Sequence, residues 1–523
     1  MKKLFRMGKY TFLKNKNDNA LNHTENNIQE EIPSSLSLIQ EKLREIFSDA
    51  SDFVLREMLI KDQKAKIVIA YIDGLVNKQI INQDIIRPFI DDQEVILKNI
   101  SQNNENLFHY IKYNVLYNCE GEDTKDFKAS VQDILAGDTM VYIEGQKIAL
   151  KLCAKDWQQR GVEKPETEVA IRGPREGFTE TLRINTSLIR RKIKNSKLKF
   201  EQIKLGTETN TDVCICYIKG IANEDIVQMV RERLQKIKID VILESGYIEE
   251  FIEDHPYSIF PTVGNSEKPD IVAAKILEGR VAIICDGTPF VLTVPHLFIE
   301  TIQSGEDYYS RPFFASFIRV LRFLALIITT IFPALYVALL SFHLASIPFE
   351  LLLSMAASRE GEPFSSFFEA LVMILFFEFL REAGVRMPKA VGQAVSIVGA
   401  LILGEVAVNA GITSDLLVIV VSLTAITSFI VDSKMDAIFF MRIGLLISAN
   451  ILGLMGIIVV LFIIINHMCS LRSFGVPYMS PFAPFNTNGI KDSLVRFPHW
   501  ATKTRPRALA GEDNGKSLNR LKK

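Results

Sequence analysis

The chain has 523 residues, with 60 Lys and Arg against 61 Asp and Glu, a net charge of −1 and 48% hydrophobic residues. That length gives room for two or three domains, and the neutral balance with only short basic runs excludes a nucleic-acid-binding protein. The averages mix two unlike parts: nearly all the charge lies before Arg322 or after His467, while residues 323–467 are mostly apolar.

The first residues, MKKLFRMGKYTFLKNKN, carry signal-peptide charges but no apolar run of about 7–15 residues, so no cleaved leader is expected. Residues 1–40, rich in Asn, Lys and Glu, read as a disordered tail. Near Ser37 a helix begins, because LSLIQEKLREIF has apolar residues at helical spacing. AKIVIAYIDGLV predicts a strand ending in a turn at Asp73-Gly74, NKQIINQDIIRPFI a helix, and DTMVYIEGQKIAL a hairpin around Glu144-Gly145. TDVCICYIKGI predicts a strand, NEDIVQMVRERLQKI a long helix, and IDVILES and GRVAIICDGTPFVLTVP further strands. Strands alternating with helices suggest a head of two α/β subdomains, residues 41–195 and 196–312. The basic run Arg190, Arg191, Lys192, Lys194, Lys197 and Lys199 at their boundary reads as a solvated helix face, with membrane lipid as the other candidate contact.

Six cysteines are sparse and irregular, so the head reads as reduced and cytosolic. Cys214-x-Cys216 has the spacing of a metal or redox pair, but alternation in VCICYI puts both side chains on one face of a buried strand, where they need only pack. There is no P-loop, HExxH or GxSxG pattern and the histidines are scattered; no enzymatic activity, cofactor or metal is expected. RGPREGFTE marks a tight, exposed polar loop whose Arg172, Arg175 and Glu176 suit a small anion or a partner, although turn geometry alone accounts for its glycines. Asp286, in CDGTPF, sits at a strand-to-turn junction and needs no function.

A spanning helix needs about 20 mostly apolar residues. Five segments qualify or nearly so: Phe323–Ala345, Pro363–Leu380, Val391–Ala410, Ser414–Val431 and Gly444–Ile465. Arg311, Arg319 and Arg322 before the first segment keep the head cytoplasmic; Arg381, Arg386, Lys389, Lys434 and Arg442 then read as inward-facing. Five crossings would leave the tail (471–523) outside, yet Arg472, Arg496, Lys503, Arg505 and Arg507 argue for an inside tail and an even number. Either one segment is re-entrant or DAIFFMRIG forms part of an extra turn, so residues 313–470 are expected to form a bundle of four to six transmembrane helices. In the third segment Gly392, Ser396, Ala400 and Gly404 recur every fourth residue, a small-residue stripe for close helix packing. Glu405 and Asn409 share the adjacent face; a carboxylate in lipid costs at least a few kcal/mol, so Glu405 should face protein or water, lining an ion path or bonding a neighbouring helix. Glu369 reads as a pathway or subunit-interface residue, and Glu378 as structural, paired with Arg381 or Arg386.

These residues carry a resemblance. IDGLVNKQIIN, RGPREGFTE, LGTETNTDVCICYIKGIAN, SGYIEEFIEDHPYSIFPT, EGRVAIICDGTPFVLTVPHLFIE, EDYYSRPFFASFIRVLRF and RMPKAVGQAVSIVGALILGEVAVNAGI, in that order over about residues 50–480, closely resemble the spore germinant receptor A-subunit (GerA) family. The resemblance implies a multi-pass subunit of the spore inner membrane with a two-subdomain cytoplasmic head. It also implies a permease-like B subunit and a lipoprotein C subunit as partners, a homo-oligomer, and a role in starting germination in response to nutrient. Ligand-gated cation conduction is the leading mechanism; a non-conducting scaffold that couples the partners is the alternative. A carrier is disfavoured by the lack of an inverted repeat or paired broken helices.

Overall fold

The computed structural model describes residues 30–60, 65–91, 108–109, 111–116, 121–155, 172–359, 362–386, 399, 402–431, 437–501, 505 and 509. The head's apolar runs form two five-stranded sheets. The first contains β1 (Phe53–Ile60), β2 (Ala65–Ile72), β3 (Gly121–Thr124), β4 (Thr139–Ile143) and β5 (Ala149–Leu152), in the order β1-β2-β4-β5-β3. The second contains β6 (Leu198–Leu205), β7 (Thr211–Ile218), β8 (Gly264–Ser266), β9 (Val281–Cys285) and β10 (Val291–Val294), in the order β6-β7-β9-β10-β8. Every ladder in both sheets is antiparallel. The expected α/β layers are therefore α+β layers, in which short connections join β4 to β5, β6 to β7 and β9 to β10 without crossover helices.

Central strands read as unbroken apolar runs because both of their faces are covered. In β7, Val213, Ile215 and Tyr217 enter one core cluster, while Cys214, Cys216 and Ile218 enter the cluster on the opposite face. In β2, Ile67, Ile69 and Tyr71 face one way and Val68, Ala70 and Ile72 the other. Cys214 and Cys216 thus serve as core residues, as the alternation in VCICYI implied.

The two halves of the head repeat one plan. Among the described residues each runs helix, hairpin, one or more helices, short strand, helix, hairpin, and each sheet has the same order of its own strands. A sequence echo marks the repeat: Tyr71-Ile72-Asp73-Gly74-Leu75-Val76-Asn77 corresponds to Tyr217-Ile218-Lys219-Gly220-Ile221-Ala222-Asn223. Gly74 and Gly220 both take positive φ, +93° and +83°, which favours glycine. Asn77 and Asn223 then cap the following helices by accepting backbone N–H groups.

Several expectations are corrected. IDVILES is not a strand: the turn at residues 207–209 donates to Ile239 and Asp240, and Val241 and Leu243 are exposed, so β8 supplies the edge strand instead. Order begins before residue 41, since Ile32, Leu36 and Ile39 are buried and a helix spans Leu36–Ile46. The helix Leu182–Lys192 packs on the second sheet, which moves it out of the first subdomain. Its Arg190 is not solvated: it is 0% exposed and grips Asp52 of the first subdomain through Nε (2.9 Å) and a terminal nitrogen (2.8 Å). Lys199 is also buried, donating to the carbonyls of Ile46 and Ser48. Together with Arg183 beside Asp73 at 3.4 Å, these bonds join the subdomains.

Beyond the head, a stem helix spans Pro312–Phe342, and shorter helices follow over Phe349–Ser358, Ser366–Arg386, residues 402–409 and Asp415–Ser428. The expected fifth span is corrected. Residues Ala437–Ser470 are helical except at Gly453, whose φ of 61° and ψ of −140° break the helix. A straight helix of 34 residues would extend roughly 51 Å. Instead Ala437 and Met468 share a cluster with Ala325 of the stem, Leu445, Ala449 and Ile457 meet Ala334 and Ala338, and Gly453 abuts Phe342. The segment is thus a helical hairpin with two arms of about 24–26 Å each. Among the described residues two helices, Pro312–Phe342 and Ala437–Ser470, qualify by length and composition as spans, but the second reverses halfway. Residues 437–444, from DAIFFMRIG, are helical and begin the first arm, so the reversal lies at Gly453 inside the fifth expected segment and not in DAIFFMRIG. Residues 471–501 return to pack on the head, so head and tail lie on one side of the bundle.

Candidate functional site

The polar groups of the apolar helices are the places to look, because a charge there must be paired or hydrated. Arg442, expected at the inner surface, is buried at 1% exposure in the first arm of the hairpin. It donates to Thr329 O (2.9 Å) and Thr329 Oγ1 (2.8 Å) on the stem, and to Glu378 Oε1 at 3.0 Å. Glu378 also pairs with Arg381 at 2.9 Å, while Arg386 pairs with Glu382 instead. One guanidinium therefore fastens three helices together. Glu378 is ion-paired, with Arg381 as one of its two expected partners, but its buried partner escapes a sequence reading because Arg442 looks like a loop charge.

Glu369 lies on the same helix as Glu378 but faces a different neighbourhood. Its residue is 2% exposed, and Oε1 accepts the backbone N–H of Ser414, which begins the helix Asp415–Ser428. Ser414 Oγ in turn meets the Tyr336 hydroxyl of the stem at 3.0 Å. Arg359 approaches Glu369 Oε2 to 3.9 Å and donates to Glu362 Oε2 at 3.2 Å. The sequence singles out Glu369 but neither Arg359 nor Glu362, whose mixed surroundings look like loop.

Glu405 and Asn409 differ from both: each is exposed on the single chain. Gly404 is open on its outer side, since a Cβ there would meet nothing within 4 Å. Gly392, Ser396 and Ala400, the rest of the small-residue stripe, lie outside the described residues. Gly399, between those positions, is packed so tightly that a Cβ would stand 2.6 Å from Leu380.

In the RGPREGFTE loop the three singled-out residues separate. Glu176 is held by Arg191 (3.2 Å) and Lys192 (3.4 Å), whereas Arg172 and Arg175 are exposed. Between them Gly173, with φ of +139°, lies against the Tyr309 ring, where a Cβ would come within 2.8 Å. Asp286 acts locally, accepting the Leu182 N–H at 2.8 Å and so capping the helix Leu182–Lys192.

Tyr309 leads to a clasp at the base of the stem. Arg319, 0% exposed, donates to Asp307 Oδ2 (2.8 Å), Asp492 Oδ1 (2.9 Å) and the carbonyl of Ser493 (3.0 Å). Tyr308 donates to Asp492 Oδ2 at 2.8 Å; burial and the Asp492 charge push its phenol well up. Arg496, expected as a free basic tail residue, is buried at 4% exposure and donates to Ser310 O (2.7 Å) and Tyr308 O (3.2 Å). Beside the clasp, Glu300 faces Lys275 (2.8 Å), Arg280 and His296 (3.3 Å). Burial alone would raise its carboxyl, but Arg280, Lys275 and His296 hold it well below the usual carboxylate value. Head, stem and tail are thereby joined by one network of buried polar contacts.

The chain matches the family described as Bacillus/Clostridium GerA spore germination protein over residues 41–508. It is 44% identical to spore germination protein KA of Bacillus subtilis (strain 168), over 92% of this chain and 88% of that protein. It is 40% identical to the uncharacterized membrane protein YfkQ of the same organism, over 97% of this chain and 98% of that protein. The crystal structure of the N-terminal domain of the A subunit of the Bacillus megaterium spore germinant receptor GerK3 covers 51% of this chain and 98% of its own length, at 32% identity and a TM-score of 0.41.

Proposed function

This chain belongs to the GerA family of spore germination proteins, and we propose that it is the A subunit of a nutrient germinant receptor in the spore inner membrane. In this reading the head is cytoplasmic, a permease-like B subunit binds nutrient, a lipoprotein C subunit completes the receptor, and several copies of this chain surround a path for cations.

The observation that supports conduction is Glu405. Glu378 is locked in an ion pair and Glu369 accepts a helix-start N–H, but Glu405 is exposed on the single chain beside Asn409. Exposed to lipid it would cost a few kcal/mol or more. Neighbouring copies of this chain remove that cost if they enclose the third apolar segment around water, and a ring of carboxylates there favours cations over anions.

The test is potassium release from spores carrying Glu405→Gln, at receptor abundance equal to wild type. Blocked release with normal partner assembly is expected. Normal release would remove Glu405 from any conducting path and favour a scaffold that only couples the nutrient-binding partner to germination.

A further inference from the structure

At the end of the bundle away from the head, the cluster around Arg359 has one cation for two carboxylates. Arg359 Nε donates to Glu362 Oε2 at 3.2 Å, and its terminal nitrogen stands 3.9 Å from Glu369 Oε2. Glu369 Oε1 takes the Ser414 N–H, which fixes the carboxylate beside the Thr413-Ser414 turn. Three oxygens then remain buried without a hydrogen-bond partner among the described residues: Glu362 Oε1, Glu369 Oε2 and Thr413 Oγ1. The two carboxylate side chains are 6% and 1% exposed, and Thr413 is 2% exposed. A buried acceptor left without a partner costs about 1–3 kcal/mol, more if charged, so three in one cluster point to something that binds oxygen.

Charge identifies what that is. Among the buried groups, two carboxylates and one guanidinium leave a net charge of −1; Asp415, whose charge also acts on Glu362, is exposed to solvent. One monovalent cation brings the cluster to neutrality, whereas a divalent ion overshoots to +1, and uncompensated buried charge is heavily penalised. A single proton shared between the two carboxylates also neutralises the cluster but leaves Thr413 Oγ1 without a partner. We infer that Glu362, Glu369 and Thr413 form a binding site for one desolvated alkali cation, with Arg359 holding the two carboxylates together. All-oxygen coordination suits such an ion. The site lies at a different place from Glu405 and does not depend on conduction there.

The test uses the purified full-length chain in lipid nanodiscs. Thermal unfolding is followed in potassium, sodium or N-methylglucamine chloride at equal ionic strength. Potassium or sodium should raise the midpoint above that in N-methylglucamine, and the increment should grow with cation concentration, as binding to the folded state requires. Glu362→Gln should abolish the increment. Thr413→Val, which changes no charge and keeps the fold readable if the first variant unfolds, should raise the half-saturating concentration several-fold. Equal midpoints in the three salts, or a wild-type increment in Thr413→Val, would overturn the inference and leave the cluster to water or a shared proton.

Discussion

The bond between the two halves of the head gives the sharpest stability prediction. Asp52 and Arg190 are 2% and 0% exposed, and two hydrogen bonds at 2.8 and 2.9 Å join them side by side. Asp52→Ala leaves the guanidinium buried and uncompensated, a change that costs about 3–5 kcal/mol. Arg190 keeps the carbonyls of Asn195 and Leu198, each at 3.2 Å, and its guanidinium stays 4.8 Å from the Phe200 ring centre. These remaining partners place the expected loss at the low end, about 3 kcal/mol. For a unit of about 150–250 residues that corresponds to a fall in melting midpoint of roughly 6–12 °C. Urea unfolding followed by circular dichroism, with wild type and variant side by side, measures it. The double variant Asp52→Leu/Arg190→Met should recover most of the loss, because replacing a buried pair by apolar residues is often neutral. A cost for Asp52→Ala below about 1 kcal/mol, the range of surface pairs, would refute the view that this pair is desolvated and joins the subdomains.

Three further outcomes are expected. Arg442→Leu should cost up to about 3 kcal/mol, since Glu378 loses its buried partner but keeps Arg381 at 2.9 Å, and should lower the amount of folded protein in membranes; Glu378→Leu in the same chain should restore much of it, and no drop in the single variant would remove Arg442 as the fastener. Single-cysteine chains retaining Cys153 or Cys469, both exposed, should react with an impermeant maleimide from the same side of sealed vesicles; opposite sides would contradict the reversal at Gly453. Because the folded Glu300 carboxyl is held well below 4.5, its contribution is present above that pH and is lost as pH falls through the depressed value. Stability measured from about pH 7 down to about pH 3 should therefore decline less steeply in Glu300→Gln than in wild type, and identical slopes would show that Glu300 is not the responsible group.

The local pattern of the chain was legible where one face or both faces are buried by near neighbours. VCICYI and AKIVIAYI read as strands, and the Asn77 and Asn223 caps stand where helices begin, because period and capping are properties of a few adjacent residues. IDVILES misleads because an apolar, β-branched stretch scores as a strand wherever it lies, yet a strand needs a partner and the turn at residues 207–209 occupies its backbone groups. The internal repeat was present in the sequence as YIDGLVN and YIKGIAN, but a seven-residue echo gains meaning only when both copies appear at the same corner of equivalent sheets.

Charges show the division most clearly. Sequence alone determined that this is a membrane protein with a folded head, and it raised the expectations that the carboxylate of the third apolar segment needs company and that the basic tail goes with an even number of crossings. Only the tertiary structure decided which charges are free. Arg190, Arg442 and Arg496 look like surface lysine-and-arginine clusters in one dimension, yet each lies buried against residues more than 60 positions away or beside the base of the stem. The reversal at Gly453 was equally hidden, since a single glycine in an apolar run draws no notice until Phe342 stands against it. Hydrophobicity is additive along a chain and so survives in sequence, whereas pairing and chain reversal depend on which distant groups meet.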